Sequence, residues 1–254
     1  MSSPKLPDEG WRVFAAEPAV SRWIAHVRPT VEAVVRDPAH GVWLRHGGTW
    51  FAGVDVLPND PDGRVSGGPP LDCAARRAGG RQPLHPGQVS VTWPGYPGRD
   101  AEESDAAHRF RRDRDAAHLD GLLPVGSARR RMLREPHAYI LGLPVTPMGP
   151  GRAPLVVWEG SHEILRKALS AALAPHDPET WGDVDVTDAY QAARRACFER
   201  CRRVEISAVP GEAVLLHRLM LHGVAPWTGP DGPARTVIYF RPLMDNVESW
   251  LAAP

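Results

Sequence analysis

Gly211-Glu212-Ala213-Val214-Leu215-Leu216-His217-Arg218-Leu219-Met220-Leu221-His222-Gly223-Val224 is the stretch on which the fold turns. The Pro210-Gly211 pair opens it as a turn. Ala213 to Leu216 then run apolar without a break, as in a strand covered on both faces. A second short strand, Leu219 to Val224, follows at once. Upstream, Val204-Glu205-Ile206-Ser207 reads as a further short strand. Downstream, a Gly/Pro loop at 226–233 delivers Ala234-Arg235-Thr236-Val237-Ile238-Tyr239-Phe240-Arg241, rich in β-branched and aromatic residues. Short strands with tight connections point to antiparallel pairing in a sandwich or barrel.

Working outward, the segment 88–93 alternates polar and apolar residues. Gln88, Ser90 and Thr92 share one face, which either lines a pocket or meets water. His137 to Val145 and Pro154 to Trp158 read as apolar strands, with Tyr139 on the side of His137 and Leu141. Glu159-Gly160-Ser161-His162 then turns into a helix over 163–172, with Ser161 as its N-cap. A second helix is predicted over 187–203. Near the start, Val20, Trp23, Ile24, Val27, Val31 and Val34 keep helical spacing, and Pro29 is expected to break or restart that helix. Two strands around His46-Gly47-Gly48 form a hairpin, and 58–86, dense in Gly, Pro, Asp and Arg, is expected to be a long, partly mobile loop, either a lid or a surface excursion.

A chain of 254 residues, 43% of them hydrophobic, can bury one large core. Its 27 prolines and 24 glycines favour turns and short elements over a helical bundle. Thirty basic side chains balance thirty acidic ones, so no global field recruits nucleic acid or an anionic membrane. The start, Met1 to Lys5, has no apolar secretory segment, no run is long enough to span a bilayer, and three cysteines make no disulfide framework. A cytoplasmic protein, monomer or homodimer, is expected.

His118-Leu119-Asp120 carries the chemistry. On an extended segment, residues two apart point the same way, so imidazole and carboxylate converge. A third ligand would complete a two-histidine, one-carboxylate face on a metal, the arrangement that suits non-haem Fe(II) activating O2. His222 is favoured, because Leu219 to Leu221 bury its strand and Gly223 leaves room beside it; His217 is the rival ligand or a core histidine. If the strand of His222 pairs antiparallel with the one after it, Arg235 returns close by, where it can take the distal carboxylate of a dicarboxylate cosubstrate. Arg241, six residues on, is about 20 Å away along the strand, too far for the same carboxylate. Arginines at 109–114 and 129–134 flank the motif, as solvated faces or, for one or two of them, as holders of an anionic substrate group.

The order His118-x-Asp120, Pro154 to His162, Gly211 to Gly223 and Arg235 resembles the phytanoyl-CoA dioxygenase-like branch of the Fe(II)/2-oxoglutarate-dependent oxygenases, over roughly 86–242. The resemblance implies a mainly β fold with flanking helices, a double-stranded β-helix (jelly roll, cupin-like), as one domain with the first 85 residues packed on its core. It implies His118, Asp120 and His222 as iron ligands and Arg235 on the C5 carboxylate of 2-oxoglutarate. Tyr139, Gln88 and Thr92 would contact the cosubstrate. A hydroxyl residue is usual two positions after the arginine, where Val237 stands here, so Tyr239 or Tyr139 would supply that contact. The implied reaction oxidises a C–H bond of a small-molecule substrate with O2, releasing succinate and CO2. A cupin-like metal isomerase or hydrolase would use the same ligands without Arg235, and a non-catalytic jelly-roll binding protein would need none of them.

Overall fold

Alternation along each strand sorts its side chains between two cores, and the pairing follows from that. The computed structural model describes residues 6–252; the Met1 to Lys5 start, read above for a secretory signal, lies outside them. In chain order the elements are β1 (Trp11–Phe14), α1 (Pro18–Arg36), β2 (Leu44–Arg45), β3 (Trp50–Leu57), α2 (Ala74–Gly79), β4 (Gly87–Thr92), α3 (Asp105–Asp113), β5 (Leu122–Val125), β6 (Arg130–Leu133), β7 (Tyr139–Pro144), β8 (Leu155–Trp158), α4 (Ser161–Leu173), α5 (Thr187–Arg200), β9 (Arg203–Glu205), β10 (Ala213–His217), β11 (His222–Val224) and β12 (Arg235–Phe240).

Four strands in the order β4-β12-β7-β10 form the centre of a seven-stranded antiparallel sheet, extended by β1 on one edge and by β3 and β2 on the other. A smaller sheet runs β11-β8-β9, and the segment at His118 joins it through a two-way backbone bridge to His222. The chain alternates between the sheets as it advances, which makes the fold a double-stranded β-helix. The first 85 residues therefore do more than pack on this core, since β1 and β3 are part of its sheet.

Ile140, Leu155, Val157, Val214, Leu216, Val237 and Tyr239 fill the space between the sheets. Alternate residues of the same strands face outward. Val89, Leu141, Leu143, Ile238 and Phe240 meet Trp23, Val27 and Val31 of α1, whereas Val156 and Trp158 meet Leu165, Leu169, Tyr190 and Cys197 of α4 and α5. No described helix is long and apolar enough to cross a membrane.

Three local expectations are corrected. Helix α1 runs through Pro29, which is exposed, as is Ala25, whose carbonyl it deprives of a donor, while Trp23, Val27, Val31 and Val34 stay buried on both sides of it. Ser161 is not the cap of α4, where Gly160 holds the left-handed position; its hydroxyl accepts instead from the Leu221 amide at 3.0 Å. The segment 58–86 is neither a lid nor loose. The Arg76 guanidinium, 8% exposed, donates to the carbonyls of Pro61, Asp62, Leu71 and Gln82, and Val65, Leu71, Cys73 and Leu84 join the core beneath α1.

Candidate active site

Gly223 decides how His118 reaches His222. A Cβ at that position would lie 2.1 Å from the carbonyl oxygen of Asp115, so only glycine lets the chain leaving α3 lie directly on β11. Asp115 and Ala116 take left-handed conformations (φ 53° and 52°) to make that turn. The Asp115 carboxylate is gripped at 2.7 and 2.8 Å by Arg203 of β9. Reciprocal amide-to-carbonyl bonds of 2.9 and 3.1 Å then tie His118 to His222.

Asp120 stands between the two imidazoles. His118 Nε2 lies 3.2 Å from Oδ1 and His222 Nε2 lies 3.5 Å from Oδ2. Each ring uses its other nitrogen on a backbone carbonyl two residues back, His118 Nδ1 on Ala116 and His222 Nδ1 on Met220, both at 3.0 Å. A carbonyl only accepts, so each Nδ1 carries the hydrogen and each Nε2 is turned to the carboxylate, donating to it when the ring is protonated and free to ligate a metal when the ring is neutral. Ligands about 2.1 Å from one divalent ion sit about 3 Å apart when at right angles. The ligand atoms of His118, Asp120 and His222 all lie within 4.8 Å of one another. Donor set, tautomers and spacing together fit a divalent metal.

Arg241 is the residue that sequence reasoning set aside. Its guanidinium donates to Asp120 Oδ2 at 3.4 Å. The 20 Å argument concerned only sharing a carboxylate with Arg235; the alternation that puts residues 235, 237, 239 and 241 on one face was the signal for it. Burial would raise the Asp120 carboxyl, but Arg241 and the two imidazoles overcome this and hold it well below the usual carboxylate range.

A cavity of about 410 Å³ opens on the triad and is walled by Trp43, Trp50, Ile140, Leu155 and Val224. Gln88, Ser90 and Tyr239 line it as well, so the polar face of β4 looks inward rather than to water. His46, assigned no role from sequence, is buried in its wall and stacks on Trp50. Arg235 lies beyond the cavity lining and is fully buried. Its Nη1 donates to Ser90 Oγ at 3.5 Å, its Nη2 donates to the Tyr239 hydroxyl at 3.2 Å, and its Nε has no partner. No carboxylate meets it among the described residues. β11 and β12 belong to different sheets, so Arg235 does not come near through a hairpin with the strand of His222, as the sequence suggested; it reaches the interior from the facing sheet.

Two expected contacts fall elsewhere. Thr92 is paired with Arg235 across the strands and is buried with its hydroxyl unpartnered, away from the cavity lining. Tyr139 faces the opposite side of its strand, in the outer core against Gly79 and near Arg76, where burial pushes its hydroxyl up to about 12. β7 is buried on both faces, which left its inward side unreadable from pattern alone. His217 lies tilted against His162 with ring centroids 4.7 Å apart, accepts from the Leu219 amide, and is driven down to about 2 by burial, as a neutral core group apart from the triad. Burial likewise pushes Cys197 up to about 12, an inert thiol.

No family model and no curated protein matches the chain. Among solved structures it is similar to EctD from S. alaskensis in its apo form, at 16% identity and a TM-score of 0.47 over 94% of this chain and 77% of that one. It is also similar to the non-haem α-ketoglutarate-dependent carbocyclase SnoK from nogalamycin biosynthesis, at 14% identity and a TM-score of 0.46 over 97% and 88%. A third is the non-haem α-ketoglutarate-dependent epimerase SnoN from the same biosynthesis, at 13% and 0.48 over 92% and 79%.

Proposed function

We propose that this protein is a non-haem Fe(II)/2-oxoglutarate-dependent dioxygenase of the phytanoyl-CoA dioxygenase-like branch, oxidising a C–H bond of a small molecule. The observation that carries the reading is Arg235. A guanidinium wholly removed from water and facing only two hydroxyls is a buried charge in need of an anion.

His118, Asp120 and His222 would hold the iron, and Arg241 would keep hold of the Asp120 oxygen nearest to it. Bound together, iron and 2-oxoglutarate supply the oxidising power, with succinate and CO2 as coproducts. The protein's own part is positioning. Ser90 Oγ already accepts from Trp50 Nε1 and Arg235 Nη1, so its hydroxyl hydrogen is free to donate. Tyr239 accepts from Arg235 and is free in the same way. Two hydroxyl donors in front of a guanidinium make a carboxylate cradle, and Tyr239 takes the place of the hydroxyl that Val237 lacks. Gln88 lines the same wall and would face the cosubstrate. Ile140, Leu155 and Val224 exclude water from the remaining space.

The test is calorimetry under argon with and without Fe(II). One 2-oxoglutarate per chain is expected, bound at least tenfold more tightly with iron, and succinate should form when air is admitted. Absence of binding in both arms, or binding indifferent to iron, overturns the proposal.

A further inference from the structure

The two arginine clusters that flank the His-x-Asp motif separate cleanly in three dimensions. Arg109, Arg112, Arg114, Arg129, Arg130 and Arg134 are exposed, and several are engaged outside, Arg112 with Asp113, Arg130 with Asp185 and Arg134 with Asp183. Arg111 and Arg131, one from each cluster, turn inward and are half-buried. They meet Arg194 of α5 and Arg241 in the lining of a second cavity of about 390 Å³, which touches His118 and Asp120 from the side of α3, β5 and α5.

The charges there do not balance. Arg111 is paired with Glu103, and Arg241 with Asp120. Glu135, the remaining carboxylate in the lining, lies beside His137, which burial keeps neutral, so its charge offsets one arginine. Arg131 spends one nitrogen on the Leu122 carbonyl and meets no carboxylate among the described residues. Arg194 lies over the rings of Phe110 and Tyr190, 4.8 and 5.4 Å from their centroids, and meets none either. Arg131 and Arg194, neither in an ion pair among the described residues, therefore share one concave space with a single free carboxylate, which leaves a net positive charge there in a chain whose overall charge is zero. Two rings restrain Arg194, and a guanidinium can take a planar or tetrahedral oxyanion with two nitrogens at once.

The geometry points to this cavity as the seat of an oxyanion group, carboxylate or phosphate, on the primary substrate. The anion rests on Arg131 and Arg194 while the bond to be oxidised lies at the triad. This assignment of substrate class rests on the oxygenase reading above, but the anion site itself can be measured without iron. The cosubstrate carboxylate has its own place at Arg235, behind the lining of the first cavity.

The test uses the full chain and two probes, benzoate and phenyl phosphate, followed by NMR titration in low salt. Saturable binding of at least one probe is expected, and the stronger one identifies the source of the oxyanion. R131M and R194M should each weaken it tenfold or more, raising salt should weaken it in the wild type, and R194K should recover part of the loss. 2-Oxoglutarate affinity in R194M should stay within about twofold. Wild-type protein that binds neither probe, variants that bind as well as wild type, or R194M losing 2-oxoglutarate with the probe would each overturn the assignment. Probe binding that depends on both arginines, in a protein that takes up no iron or 2-oxoglutarate, would keep the anion site and remove the oxygenase reading instead.

Discussion

Replacing Arg235 by methionine should move stability and ligand response in opposite directions. In the ligand-free chain the guanidinium is fully buried and satisfied only by Ser90 and Tyr239. Desolvating an unpaired ion costs several kcal/mol, and its two hydrogen bonds return part of that. Methionine is of similar length, apolar and free of the charge, so R235M is expected to gain about 2 kcal/mol, or about 4 °C in melting temperature for a chain of this size. For wild type, 2-oxoglutarate at a hundred times its dissociation constant adds about 2.7 kcal/mol and a shift of similar size. Losing one partner of a buried charge-assisted pair costs roughly 2–5 kcal/mol, so the variant should bind 30-fold to several thousand-fold more weakly and gain at most about 0.9 kcal/mol at that concentration, a third of the wild-type shift or less. Differential scanning calorimetry with anaerobic Fe(II), with and without 2-oxoglutarate, reads both effects. An R235M protein that melts several degrees lower and responds to 2-oxoglutarate as wild type does would refute the reasoning, because Arg235 would then be an ordinary packing residue.

Acid should unfold the protein through its neutral buried histidines. Burial lowers His137 to about 4 and His217 to about 2 from 6.5, so the unfolded chain binds more protons below pH 6.5 and stability falls as pH drops through that window. Between pH 7 and 5 each should cost about 2 kcal/mol, and H217N should lose about half of the combined dependence in urea titrations; an unchanged pH slope would count against it. G223A, whose Cβ meets the Asp115 backbone, should push the 115–118 segment off β11 and weaken metal binding tenfold or more by titration, and metal affinity equal to wild type would show that the close approach is not needed. R76M removes the donor shared by four carbonyls, that of Leu71 buried, and should cost about 1–3 kcal/mol and expose 58–86 to limited proteolysis; a cleavage pattern like that of wild type would sink that account.

Local pattern carried the strands well, because β4, β10 and β12 have either clean alternation or a continuous apolar run bounded by turn residues. The meeting of His118, Asp120 and His222 was legible from two-residue spacing and one glycine. What escaped depended on partners distant in sequence. The β5–β6 hairpin hides its few buried residues, Leu122 and Leu133, among Arg129, Arg130, Arg131 and Arg134. The order of 58–86 comes from one arginine gathering four carbonyls, which composition cannot reveal. Arg241 lay on a face already recognised, yet distance along the strand was considered without the reach of Asp120 from the other sheet. The family resemblance assigns Tyr139 to the cosubstrate, and a strand apolar on both sides offers no pattern to show that it faces the other way.

The central claim is that His118, Asp120 and His222 bind one metal ion together. Anaerobic Fe(II) titration of the purified chain, followed by equilibrium dialysis, tests it most directly. One ion per chain is expected, lost in H118A, D120A and H222A alike while H217A retains it. Stoichiometric iron binding that survives D120A, or no saturable iron binding in the wild type, would contradict the account.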